Sequence, residues 1–85
     1  MTAVKTIEDR LLGLIDETRE VLREEDTANI TDLVRHREWG VALEVLCTQI
    51  DEFDLTISRS AYEEIRSLSD QMNMDASIWK DIRYK

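Results

Sequence analysis

The sequence predicts an all-α protein, a single small bundle of four to five helices, and three observations carry that prediction. The chain has no proline and only two glycines, a composition poor in turn formers that favours helices joined by short polar connections. Apolar residues recur at spacings of three and four through most of its length, the period of a helix with one buried face. No apolar–polar alternation of the kind a half-buried strand needs runs for more than a few residues. With 85 residues, positions 1–85 are expected to form one domain, since two cores would each fall below the size that folds unaided.

The first helix is expected over residues 4–23. Val4, Ile7, Leu11, Leu14, Ile15, Thr18, Val21 and Leu22 lie on one stripe, while Glu8 and Asp9 suit the positive end of the helix dipole. Gly13 inside this helix costs about 1 kcal/mol against alanine, which suggests a close helix crossing. Glu24, Glu25 and Asp26 read as a polar break. A short second helix runs from Thr27, a candidate N-cap, to His36, with Ile30, Leu33 and Val34 facing inwards.

The third helix, residues 38–54, is the best defined. Trp39, Ala42, Leu43, Leu46, Cys47, Ile50 and Phe53 keep the three-four spacing almost without a gap, which makes it the expected centre of the core. Leu55-Thr-Ile-Ser58 then reads as an extended connection with Leu55 and Ile57 tucked in. Ser60 and Glu63 have the spacing of a capping box, although Ser58 is an equally available start. The fourth helix carries Tyr62, Ile65, Leu68 and Met72 and ends at Asn73, a residue that tolerates the left-handed conformation. Asp75 is expected to cap a last short helix whose apolar face is Ile78, Trp79 and Ile82.

The third helix also breaks a local rule. Its last turn carries Asp51, Glu52 and Asp54, yet a helix C-terminus bears about half a negative charge and disfavours each acid there by a few tenths to about 1 kcal/mol. Departures of this kind point to function. Glu44 lies seven residues before Asp51 and so shares its face, and Gln49 is a hydrogen-bonding neighbour. Glu44, Gln49, Asp51, Glu52 and Asp54 are therefore the candidate partner-binding residues, with Glu24, Glu25 and Asp26 as a second candidate surface.

Bulk chemistry narrows what such a surface would meet. Apolar residues make up 42% and charged residues 35% of the chain, as in a soluble globular protein. No apolar run reaches the 18 or so residues of a membrane span, and residues 1–9 lack the basic and apolar regions of an export signal, so the expected compartment is the cytoplasm. Nineteen acids against eleven bases give a net charge of −8. That charge repels nucleic acid and anionic membranes and attracts basic partners.

Catalytic and metal signatures are missing. Cys47 is the only cysteine and lies on an apolar stripe, where a free thiol behaves as a small hydrophobe. His36, the only histidine, sits near a helix end that suits a partial positive charge. There is no HExxH, CxxC or Glu-x-x-His pair, the acids do not fit a calcium loop, and neither glycine belongs to a phosphate loop. The expectation is a protein that is not an enzyme, has no cofactor or bound metal, and works through its surface.

The run His36-Arg-Glu-Trp-Gly-Val-Ala-Leu-Glu-Val-Leu-Cys-Thr-Gln-Ile-Asp-Glu-Phe-Asp54, with Leu55-Thr-Ile-Ser58 directly after it and later Asp75-Ala-Ser-Ile-Trp79, resembles the MafI-type family of bacterial immunity proteins. That family shows a Gly-Glu-Trp-Gly turn, a Leu-Cys-x-Gln-x-x-Glu-Tyr/Phe-Asp helix end and an Asp-x-x-x-Trp segment. Trp39, Gly40, Cys47, Gln49, Glu52 and Asp54 fall at the matching spacings, and the resemblance covers roughly residues 28–82. Arg37 stands where the family often has glycine, which predicts a differently closed turn between the second and third helices.

The resemblance implies an antidote to a secreted or contact-delivered toxin, commonly a nuclease such as an RNase, and the partner would be a cognate toxin with a basic surface. Two other readings of the residues stay open. One is an acidic regulatory or scaffold module docking on a basic protein; the other is a small acid–base enzyme using His36. Oligomeric state is left open.

Overall fold

The computed structural model describes residues 6–85. The fold is all-α: helices α1 (Ile7–Thr18), α2 (Glu24–Arg35), α3 (Trp39–Glu52) and α4 (Arg59–Gln71) surround one core, and a 3-10 turn covers Ala76–Ile78. Two very short strands, β1 (Thr56–Ile57) and β2 (Arg83–Tyr84), pair in parallel. A parallel pair needs a long crossover, and α4 supplies it.

Helix α1 is shorter than its apolar stripe. The Thr6 hydroxyl accepts the Asp9 amide at 3.1 Å and caps the helix; the expected start at Val4 lies outside the described residues. The helix stops at Thr18, whose hydroxyl donates back to the carbonyls of Leu14 and Ile15 at 3.0 and 3.2 Å. The amides of Val21 and Leu22 both fold onto the Thr18 carbonyl, so Leu22 enters the core while Val21 stays exposed.

The acidic break predicted between the first two helices is the first turn of α2. Glu24, Glu25 and Asp26 occupy it, where carboxylates face unsatisfied amides and the positive end of the dipole. Thr27 is accordingly not an N-cap; it lies inside the helix and is buried.

Three helices end the same way. Each closes with a left-handed residue: Arg37 at φ 61°, Asp54 at 53° and Asn73 at 56°. After each, an amide reaches back to the last turn, Glu38 to the Leu33 carbonyl, Leu55 to Ile50 and Met74 to Ser69, at 2.8–2.9 Å. These are Schellman closures, which satisfy carbonyls that the helix leaves open. The Arg37 turn therefore adopts the geometry that glycine favours, even though arginine occupies it.

At the start of α4 the available alternative forms: Ser58, not Ser60, is the N-cap and accepts the Ala61 amide at 3.1 Å. Asp75 caps as expected, taking the Ser77 amide at 2.8 Å, but the chain beyond it forms the 3-10 turn and then β2 instead of a fifth helix. The extended Thr56–Ile57 segment needs a partner for its backbone, and Arg83–Tyr84 provides one.

The core holds Leu11, Leu14 and Ile15 of α1, Ile30 and Val34 of α2, and Ala42, Leu43, Leu46, Cys47 and Ile50 of α3. Leu22, Ile57, Ala61, Ile65, Leu68 and Ile82 complete it. Arg10 pins α1 to α4 by donating to Glu64 with two nitrogens, at 3.0 and 2.8 Å, and to Ser67 and Gln71. Gly13 is not at a crossing, because a Cβ built there would meet nothing within 4 Å. Among the described residues no helix is long and apolar enough to cross a membrane.

Candidate partner-binding surface

Helix α3 turns its core side towards α1 and α2 and leaves the opposite side open. Glu44 and Asp51, about 20° apart after seven residues, are both exposed on that open side, with Thr48 and Glu52 beside them and Val41 46% exposed one turn earlier. Neither Glu44 nor Asp51 forms an ion pair among the described residues. Gln49 lies on the flank, half-buried, and its Oε1 is enclosed without a hydrogen-bond partner among the described residues. The structure thus brings Glu44, Asp51 and Glu52 together and sets Gln49 apart.

The end of α3 is less anomalous in three dimensions than in one. Asp54 lies 3.4 Å from Arg83 of β2. Arg23, in the connection before α2, sits with its guanidinium carbon 4.4 Å from the centre of the Phe53 ring. Its pKa is raised, first by the hydrogen bond to Asp26 and more weakly by the charges of Asp26, Glu25 and Glu52. The cations that the last turn of α3 lacks come from two other elements. Glu52 and Asp54 therefore have a structural return that the sequence hides, and Asp51 does not.

Phe53 itself differs from expectation. The three-four stripe places it in the core, but it is 43% exposed as the C-cap of α3, since the helix ends before the stripe would carry its ring inwards. Arg23 lies across it. The same Arg23 donates to Asp26 at 2.9 Å and approaches Glu25 at 3.3 Å. The two acidic segments that stand apart in the sequence, 24–26 and 51–54, therefore meet at one end of the bundle. Arg23 is the joint between them, and spacing along the chain gives no sign of it.

The other chemical groups are poorly placed for reaction. Cys47 is buried, and that burial, with the charge of Glu44 as a lesser cause, pushes its thiol up to about 12; the reactive thiolate is suppressed. His36 is exposed at the C-cap of α2, its Nδ1 2.7 Å from the Asp32 carbonyl. Among the described residues no three His, Cys, Asp or Glu side chains gather as a metal ion would require. An open groove between α1 and α4 is lined by Gly13, Leu14, Glu17, Arg59 and Glu63, among others.

The fold and surface define a class, a small acidic helical domain with one end rich in carboxylates. Comparison of the chain with protein-family models, with curated proteins and with solved structures gives no match in any of the three.

Proposed function

We propose that this chain is an immunity protein of the MafI type, which binds a cognate secreted or contact-delivered toxin and neutralises it stoichiometrically. The observation that carries the reading is the meeting of segments 24–26 and 51–54 at one end of the bundle, continuous with the open face of α3. The sequence resemblance over residues 28–82 supplies the kind of partner. A nuclease needs a basic groove because its substrate is a polyanion, and a compact acidic surface competes for that groove by charge complementarity. Electrostatic steering also accelerates encounter, which limits the damage done before the toxin is covered. The chain itself performs no reaction in this scheme, and its place of action is the cytoplasm, where the toxin would meet its substrate.

The test is co-expression with the toxic product of the adjacent gene, scored by growth and by isolation of a complex. The wild-type chain is expected to restore growth and to co-purify with the toxin. Reversing Glu24, Glu25, Asp51 and Glu52 to lysine is expected to abolish protection while helix content is retained. Growth arrest that the wild-type chain does not relieve would sink the proposal; a complex without protection would favour the regulatory or scaffold reading.

A further inference from the structure

The exposed ring of Phe53 is a large apolar group within the acidic segment 51–54, and Arg23 ties it to the segment 24–26. Over the ring lies Arg23, a long side chain 53% exposed whose guanidinium carbon is 4.4 Å from the ring centre. A guanidinium over a benzene ring at this distance is a cation–π contact, and here carboxylates converge on it from Asp26, Glu25 and Glu52. The pair with Asp26 is two-pronged, at 2.9 and 3.4 Å, on a carboxylate that is only 12% exposed. The approach to Glu25, by contrast, is an exposed surface pair of the kind that contributes little to stability. The chemistry of the place is thus defined by what already occupies it: a guanidinium stacked on an aromatic ring and forked to a carboxylate.

We infer that Phe53, flanked by Glu52, Glu25 and Asp26, is a seat for an arginine side chain of a basic protein partner, and that Arg23 is its intramolecular stand-in. The inference rests on the proposed function for the existence of such a partner, but it concerns one seat on the surface. Arginine fits better than lysine because a planar guanidinium stacks on the ring while forking to two carboxylates, whereas an ammonium is a compact, strongly hydrated point charge. When the partner docks, its guanidinium takes the ring and Arg23 swings into solvent. Aromatic residues, phenylalanine among them, and arginine are enriched at protein interfaces.

Phe53 is the only phenylalanine, so its ring signals in an NMR spectrum belong to one site. The experiment titrates the full chain with a blocked tetra-arginine peptide and, separately, with tetra-lysine at low salt. The Phe53 ring resonances are expected to shift and saturate, with tetra-arginine binding several-fold more tightly. Arg23→Gln, which vacates the seat, should tighten tetra-arginine binding several-fold beyond Arg35→Gln, which removes the same charge from the far end of α2. Phe53→Leu keeps an apolar side chain and should erase the preference for arginine, and Phe53→Tyr should keep it.

The inference is overturned if the Phe53 ring does not respond, if Arg23→Gln and Arg35→Gln act alike, or if Phe53→Leu leaves the preference intact. Protection of cells by a Phe53→Leu chain that has lost the preference would overturn the role of the seat in docking while leaving the immunity reading standing. A responsive seat in a chain that protects no cell would do the reverse.

Discussion

Cys47 shows at a single residue how burial decides chemistry. Its sequence neighbours mark it as apolar, and the structure encloses it within α3 so that the neutral thiol is strongly favoured. The native thiol is expected not to react with a thiol-specific disulfide reagent at pH 8 and to react fully once the chain is unfolded. The sign of the pH effect comes from the raised pKa. The folded state holds the proton more tightly than the unfolded chain, so this contribution is complete below the usual 9.0 and is lost as pH rises towards about 12. The thermal midpoint should fall across that window, and Cys47→Ala should flatten the fall; an identical fall in the variant would show that other groups cause it. Phe53 carries the opposite lesson, since the ending of its helix leaves an apolar residue in the correct register outside the core.

At the scale of the element, the helix ends are the informative places. Gly13 and Arg37 are mismatched in opposite senses: a glycine sits where helical backbone is required, and an arginine sits where left-handed backbone is required. With open space around its Cβ position, Gly13→Ala should raise unfolding free energy by about 1 kcal/mol through the helix propensity of alanine. Arg37→Gly removes a left-handed cost of about 1–2 kcal/mol, partly offset by the greater freedom of glycine in the unfolded chain. A net gain of up to about 1 kcal/mol is expected in urea denaturation. A loss of stability at either position would mean that the side chain or its absence serves a contact other than those described. Ser58 joins two elements at once, capping α4 while donating to Glu17 of α1 at 2.7 Å.

Across the whole molecule, charge is the dominant fact. The described ion pairs are mostly exposed, and the excess of eight negative charges remains after them. Self-repulsion of this size opposes compaction, and salt screens it within a Debye length of about 10 Å at 0.1 M. The melting temperature should therefore rise as sodium chloride increases from about 10 mM to about 0.3 M, because relief of net repulsion outweighs weakening of surface pairs that contribute little. A falling melting temperature would mean that those pairs, Arg10–Glu64 foremost because it is among the least exposed, dominate the balance.

Much of this architecture is legible in the chain. Three-four periodicity locates four helices and almost all of the core, since a helix face is a local property that repeats every few residues. The left-handed end at Asn73 and the cap at Asp75 are equally readable, each being settled by one residue type. Helix ends set by competition are not: acids can mark a break or a first turn, and only the fold of Thr18 and its neighbours places Glu24–Asp26 at the start of α2. The pairing of Thr56–Ile57 with Arg83–Tyr84 is hidden for the same reason, because its partner lies across a helix. The candidate surface divides along this line. Its acids are visible as residue types on one helix, whereas the cations that answer them, Arg23 and Arg83, come from distant segments. Sequence by itself determined the helices, the core and the sign of the charge, all of which come from local pattern and composition. Only the tertiary structure decided which charges meet, because electrostatic contact depends on distance in space.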